Sequence, residues 1–342
     1  MNLDKVINDV CVKFSYSEEL KSALKKCIPI MAEDKSEKEI QLLVKTLYNV
    51  EIFTFEKQPT RQQIEYIREK KFNNRNSHVK FDEPDLGEYN KYTNPGAYCY
   101  DIIFDKDMKA IDKSEYIYIT NLKPNSILAN TYGTTINLSH LMHELGHAYV
   151  AQKDPYIQDE SGNVIVRDGM RKDILIVDKQ NCKVSYGDAS GIFIEEAMNT
   201  VEEEKFITKL LEVKSIDEIP GYEKSTYQSS VMTTIIRGYL TVLSKSKPFQ
   251  DARVFNDYSK FERFERAYSQ TDYSKKVEKE VYYNEKKRDF LSGIPNNVKD
   301  FFKKYENLYF SAPKKQGFLE NLDNALEQMY SLSAGYCIVR LN

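Results

Sequence analysis

The sequence from residue 138 to residue 151 reads LSHLMHELGHAYVA and decides the fold of the region around it. Its apolar residues recur at three- and four-residue spacing: Leu138, Leu141, Met142, Leu145 and Ala148. Because this spacing places side chains on one face of an α-helix, the pattern predicts a helix packed against a core. Pro155, a short distance downstream, would prevent the helix from continuing.

The motif His143-Glu144-Leu145-Gly146-His147 occupies the centre of this predicted helix. On a helix, His143 and His147 lie one turn apart on one face, where their imidazole nitrogens can bind one zinc ion together. Glu144 lies beside them and can accept a proton from a metal-bound water. The chain has only four histidines in 342 residues, which argues against a chance occurrence. The motif therefore predicts two zinc ligands and a general base.

A zinc hydrolase needs a third protein ligand and an open position for water. The longer pattern H-E-x-x-H-x-x-G-x-x-H is excluded, because Val150 and Lys153 stand where it requires glycine and histidine. Downstream, Glu195 and Glu196 stand within an apolar run, and a buried carboxylate is costly unless it is paired or bound to metal. These acids could equally mark the solvated start of a helix. The residues alone leave both glutamates open as the third ligand.

Together the two motifs resemble those of the gluzincin-type zinc metallopeptidases, the group that includes thermolysin. In that group the second helix carries an N-E-x-x-x-D-like pattern, whose glutamate binds zinc and whose aspartate orients a ligand histidine. The resemblance implies Glu196 as the third ligand, with Glu195 at the asparagine position and Thr200 at the aspartate position. Because Thr200 departs from the pattern, either Asn199, Thr200 or another acid must support the histidine. The resemblance covers residues 137–200.

The resemblance implies a zinc-dependent endopeptidase with one Zn²⁺ and no other cofactor, in which Glu144 is the general base. A donor for the developing oxyanion is also needed, and tyrosine is expected because two of the four histidines are already committed. Tyr227, at the start of the helix-like segment 226–243, is the candidate. His140 lies three residues before His143 and is either a further ligand or a packed helix residue.

The expected fold class is α+β: a zincin-like core with a small mixed sheet, the H-E-x-x-H helix and a second ligand helix. Residues 1–96 are expected to form a mainly helical region with a loop, residues 97–200 the catalytic core, and residues 201–342 a helical region compact with it. Tyr116–Thr120 is a strong strand signal and Ser126–Thr131 a weaker one; either one of them forms the cleft edge, where a polypeptide adds as a strand, or they are core strands with no ligand role. Strand-like runs between the metal motifs predict one or two hairpins: 163–166, 173–177 and 182–186.

Net charge, cysteine spacing and the distribution of apolar residues limit which classes of partner and which compartment we expect. A net charge of −3 and a pI of about 6.0 give no sign of a polyanion partner. Five cysteines without a C-x-x-C spacing indicate neither a disulfide framework nor a cysteine zinc site. Neither a signal peptide nor a transmembrane run is visible. The sequence therefore predicts a cytoplasmic protein that binds a polypeptide substrate, with no nucleic-acid or membrane partner; export without a cleavable signal stays open.

Two other functions stay open on the sequence. One is a non-catalytic zincin-like protein, in which metal stabilises a regulatory or sensor fold; the other is a toxin or effector protease with a single protein target. The second shares the peptidase chemistry and differs only in substrate. The first would need a closed metal site with a fourth protein ligand, for which His140 and Glu195 are the candidates.

Overall fold

The structure is a computed structural model that describes residues 2–82, 96–120, 122, 138–190, 192–214, 218 and 247–257. Within these ranges the chain forms seven α-helices and two mixed β-sheets, which confirms the α+β class. The described helices are α1 (Leu3–Phe14), α2 (Glu18–Ala32), α3 (Glu37–Asn49), α4 (Arg61–Arg68), α5 (Leu138–Val150), α6 (Ile192–Leu211) and α7 (Lys247–Phe255), with a π-helical turn at Glu69–Asn73. None of the described helices is long and apolar enough to cross a membrane.

Local side-chain bonds fix where several N-terminal helices begin. Ser36 and Glu39 form a reciprocal capping box at the start of α3, and Thr60 and Gln63 form another at the start of α4. These side chains satisfy backbone N–H groups that have no partner within the helix. The helix boundaries in this region therefore follow from short-range sequence.

The strands are β1 (Glu51–Phe55), β2 (Lys80–Phe81), β3 (Gly96–Phe104), β4 (Ala110–Thr120), β5 (Tyr156–Gln158), β6 (Val164–Asp168), β7 (Arg171–Asp178) and β8 (Lys183–Ser190). In the first sheet the order is β1-β4-β3, with β4 parallel to β1 and antiparallel to β3. In the second sheet the order is β2-β8-β7-β6-β5. Strands β6, β7 and β8 confirm the strand-like runs expected between the metal motifs.

Of the two alternatives for Tyr116–Thr120, a cleft edge or a core strand, the structure shows the core strand. This segment belongs to β4, the central strand of the first sheet, and every residue from Tyr116 to Thr120 is buried. A continuous apolar run is typical of a strand that is covered on both faces. In a strand with an exposed face or edge, polar residues interrupt the apolar run. Among the described residues the edge opposite β1 is β3. The alternative segment, Ser126–Thr131, lies outside the described residues.

Two hydrophobic clusters cover β3 and β4. On one side, Ile102 and Phe104 pack with Val164, Val166 and Leu175 of the second sheet. On the other, Ile103, Tyr116 and Tyr118 pack with Ile67 and Phe72 from α4 and the π-helical turn. The helix α5 also packs on β3 and β4, and α2 and α3 pack against α5. This arrangement places the H-E-x-x-H helix beside the edge strand β3.

The chain divides into two compact units. Of the described residues, the first unit holds 2–168, 173–188 and 202–214, which include α5 and the second half of α6. The second unit holds Gly169–Lys172, Ala189–Val201 and the helix α7.

Candidate metal centre

The two motif histidines lie on α5, as the sequence predicts, with their rings turned toward each other. Their Nε2 atoms are 3.2 Å apart. Two imidazole nitrogens at zinc–nitrogen distances of about 2.0–2.1 Å around a tetrahedral ion lie about 3.3 Å from one another. His143 and His147 therefore hold the separation that a single zinc ion would impose.

The second nitrogen of His143 faces a buried acid. Its Nδ1 lies 3.3 Å from Oε2 of Glu203, which is on α6 and 6% exposed. Burial raises the pKa of Glu203, but the hydrogen bond and charge of His143, together with His140 and Ser139, outweigh it and leave the pKa below its ordinary value. A carboxylate that accepts from Nδ1–H favours the tautomer in which Nε2 is the acceptor nitrogen, which is the form of histidine that binds a metal through Nε2.

Glu203 is the functional residue that sequence reasoning did not name. Thr200 stands where the resembled pattern has an aspartate, so the resemblance implied that Asn199, Thr200 itself or another acid supports the ligand histidine. Within the first unit, Glu203 contacts His143. One signal was available, since Glu203 follows Glu196 by seven positions on the same predicted helix. Seven residues are two helical turns, so that the two positions share a face.

The carboxylate of Glu144 reaches the edge strand β3. Its Oε2 accepts a hydrogen bond of 2.7 Å from the backbone N–H of Tyr98. Gly96 begins the same strand, and a Cβ placed there would lie 3.5 Å from Cγ of Glu144. The carboxylate of the candidate base is therefore held against the main chain of β3.

Glu195 is occupied by an ion pair in the second unit. Its two carboxylate oxygens accept from Nε of Arg253 at 2.9 and 3.2 Å, and Nη2 of Arg253 lies 2.8 Å from Oε1. The N–H of Met170 donates to Oε2 at 2.8 Å, and both Glu195 and Arg253 are almost completely buried. As a metal ligand, Glu195 would leave the Arg253 charge buried without its partner, which argues against it as the third ligand.

Glu196 lies on α6 by its backbone, in agreement with the expected second helix. The side chains of Glu196 and Thr200, and all of Tyr227, lie outside the described residues. Among the side chains that are described, no three from His, Cys, Asp and Glu are grouped so that they could hold a metal ion. That result covers His140, which does not join the histidine pair.

His140 is better described as a packed helix residue. Burial lowers its pKa, against the opposing attraction of Glu203, and nearby His143 lowers it further. Its Nδ1 has no hydrogen-bond partner within the described part of the chain. The ring is therefore expected to be neutral at neutral pH.

Comparison with known proteins finds no match among family models, curated proteins or solved structures.

Proposed function

We propose that the protein is a zinc-dependent metallopeptidase, an endopeptidase in which His143, His147 and Glu196 bind one zinc ion and Glu144 is the general base. The observation that carries the proposal is the histidine pair, whose Nε2 atoms lie 3.2 Å apart while Glu203 supports the other nitrogen of His143. Glu196 is chosen over Glu195 because Glu195 is already paired with Arg253. A cytoplasmic setting remains part of this proposal.

The carboxylate behind His143 supports metal binding over simple helix packing. A neutral histidine carries one ring proton, and the buried acid fixes that proton on Nδ1. The Nε2 lone pair then points toward His147, where a cation would satisfy both rings. Metal-binding histidines in proteins usually have such a partner, and it raises their basicity as ligands.

Zinc, when bound, supplies the chemistry of a Lewis acid, lowering the pKa of water and polarising a carbonyl. Glu144, which lies beside the two histidines in sequence and points slightly aside from them, would accept the proton of such a water and return it to the leaving amine. The Tyr98 N–H orients the Glu144 carboxylate. Tyr227 stays the proposed oxyanion donor from the sequence.

The rival function is a non-catalytic, zincin-like regulatory or sensor protein. Such a site would be closed by a fourth protein ligand, and the sequence offers His140 and Glu195 for that role. Glu195 is held by Arg253, and His140 is not grouped with the pair among the described side chains. These two observations favour an open, catalytic site; an effector protease with one target would share it.

The test measures zinc content and peptide cleavage on the full chain for wild type, Glu144→Gln and Glu196→Ala. We expect one zinc in wild type and in Glu144→Gln, with most zinc lost in Glu196→Ala. Against a peptide library, Glu144→Gln should lower the cleavage rate by about 10²–10⁴-fold, the contribution of a general base. Glu212→Gln, at the exposed end of α6, is the matched control. A wild type without zinc, or an equally active Glu144→Gln, would overturn the proposal.

A further inference from the structure

Tyr98 is bonded to the H-E-x-x-H helix region through both its backbone and its side chain. Its N–H donates to Glu144 at 2.7 Å, and its phenol donates to Oε1 of Glu115 on the neighbouring strand β4. The other oxygen of Glu115 accepts from Nε2 of Gln152 at 2.8 Å. Gln152 stands two residues beyond the end of α5. Tyr98 is therefore bonded directly to Glu144 of α5 and, through Glu115, connected to the segment that follows this helix.

The phenol belongs to a buried polar cluster whose side chains come from β3, β4 and β6. Nζ of Lys113 lies 2.5 Å from Asp168 and 3.3 Å from Glu115, and its side chain is 2% exposed. The same ammonium group lies 4.4 Å from the ring centre of Tyr100 and 5.6 Å from that of Tyr98. In the antiparallel register Tyr98 is opposite Ile117 and Tyr100 is opposite Glu115, which places these side chains on one face.

Such a cluster is an expensive way to stabilise a fold. Removing several charges from water costs about as much as their mutual attraction returns, and apolar residues of similar volume often serve stability as well or better. What a hydrogen-bonded cluster adds is a fixed register between the parts that it connects. Here the parts are the edge strand β3 and the end of the helix that carries Glu144.

We propose that Tyr98 is a positioning residue for Glu144: its phenol bond to Glu115 fixes the point on β3 at which its own N–H holds the carboxylate. This inference rests on the proposed function, since it gives Glu144 a role in proton transfer. The backbone N–H of Tyr98 cannot be removed by changing its side chain. The bond between the phenol and Glu115 can be removed, and it is therefore the bond to test. Burial, followed by Asp168 and Glu115, raises the pKa of Tyr98 well above its ordinary value, so the hydroxyl stays a donor throughout the working pH range.

Tyr100 provides a matched control on the same strand. Its phenol donates to a carboxylate as well, but the acceptor is Asp173 of β7 and not Glu115. Tyr98→Phe and Tyr100→Phe each remove one hydroxyl, above the same lysine, from the same face of β3. A purely structural role for Tyr98 would make the two variants behave alike.

The experiment compares the two variants by amide hydrogen exchange at single-residue resolution, and by kcat and KM for the zinc-loaded chain on a peptide that wild type cleaves. In Tyr98→Phe we expect exchange of the residue-98 amide to be faster by about tenfold or more, the effect of losing a hydrogen bond to a charged group. The amides of Ile117 and Ile119 should be unchanged. We also expect kcat to fall about tenfold with KM unchanged, as for a group needed only in the transition state. Tyr100→Phe should show neither effect.

Equal behaviour of the two variants in exchange and in kcat would overturn the inference while leaving the peptidase proposal intact. A wild type that cleaves no peptide would instead overturn the proposed function, and amide exchange would still decide whether the phenol holds β3 in place. Should Tyr98→Phe fail to fold, Gln152→Met removes the same connection from the helix side. It should reproduce the faster exchange at Tyr98, and unchanged exchange there would refute the inference.

Discussion

Glu203→Gln tests whether the buried acid supports His143 as a zinc ligand. The substitution keeps the size and shape of the side chain but removes its negative charge 3.3 Å from Nδ1 of His143. Replacing a carboxylate that supports a ligand histidine typically weakens metal binding by about 10–100-fold, which is about 1.4–2.7 kcal/mol. We expect zinc affinity to fall within this range, because the amide can accept a hydrogen bond but cannot stabilise positive charge on the ring.

Zinc affinity would be measured by competition with a chromophoric chelator at fixed pH, on wild type, Glu203→Gln and the exposed control Glu212→Gln. Unfolding of the metal-free proteins would be followed in parallel, because a buried substitution can also change stability. Metal-free Glu203→Gln that unfolds like wild type would show that any loss of affinity comes from the site itself.

A Glu203→Gln variant that binds zinc as tightly as wild type would refute the reasoning. The Nδ1 contact would then have no influence on the ligand, and the orientation argued for His143 would fail. Loss of affinity in Glu212→Gln of the same size would refute it as well, since that side chain is exposed at the far end of α6.

Three further predictions concern the structure around the site. Burial raises the pKa of Asp101 from 3.8 to about 6, so the free energy of unfolding should fall by up to about 3 kcal/mol as pH rises from about 4 to about 6. Asp101→Asn should remove this pH dependence of the free energy of unfolding, measured by urea unfolding between about pH 4 and about pH 6. An unchanged pH dependence would contradict its attribution to Asp101. Arg253→Met should lower the free energy of unfolding by about 3–5 kcal/mol by leaving Glu195 buried and unpaired, and adding Glu195→Gln should recover part of it. Gly96→Ala should destabilise the first sheet by about 1–3 kcal/mol, because the new Cβ would lie 2.7 Å from Cδ1 of Ile119, and an unchanged melting temperature would count against this.

The helix that carries the motif was predictable because its signal is local. Apolar spacing across Leu138–Val150 and the i, i+4 histidines are visible within a few turns of sequence, and the structure confirms that helix. The strands β6, β7 and β8 were predictable for the same reason, since alternation and turn residues are short-range signals.

The sequence left Tyr116–Thr120 open as an edge or a core strand, although hydrophobicity is strongest where a strand is buried on both faces. Tyr116–Thr120 gives the clearest strand signal in the chain and is for that reason the central strand. The edge strand β3 mixes tyrosines and an aspartate with apolar residues, so its pattern is weaker. A strong apolar strand pattern therefore indicates that the strand is buried, and it does not indicate that the strand lies next to a cleft.

The choice between Glu195 and Glu196 could not be made from local sequence. A step of one residue rotates a side chain by about 100° around a helix, so the two carboxylates point in different directions. What distinguishes them is Arg253, 58 positions after Glu195, which bonds that carboxylate inside the second unit. The support of His143 by Glu203 is likewise a tertiary contact, across 60 positions.

The position of Glu144 links the chemistry to the sheet and gives the strongest reason to prefer catalysis to a structural metal site. A structural site has no use for an acid beside its ligands that is bonded to a strand instead of the metal. Here the acid is held by the N–H of Tyr98, on the strand that forms an edge of the described sheet. An extended polypeptide binds most readily by adding to such an edge, through main-chain hydrogen bonds. Under the proposed function, the edge expected for substrate is therefore β3 in place of Tyr116–Thr120, and a peptide added there would run past the Glu144 carboxylate.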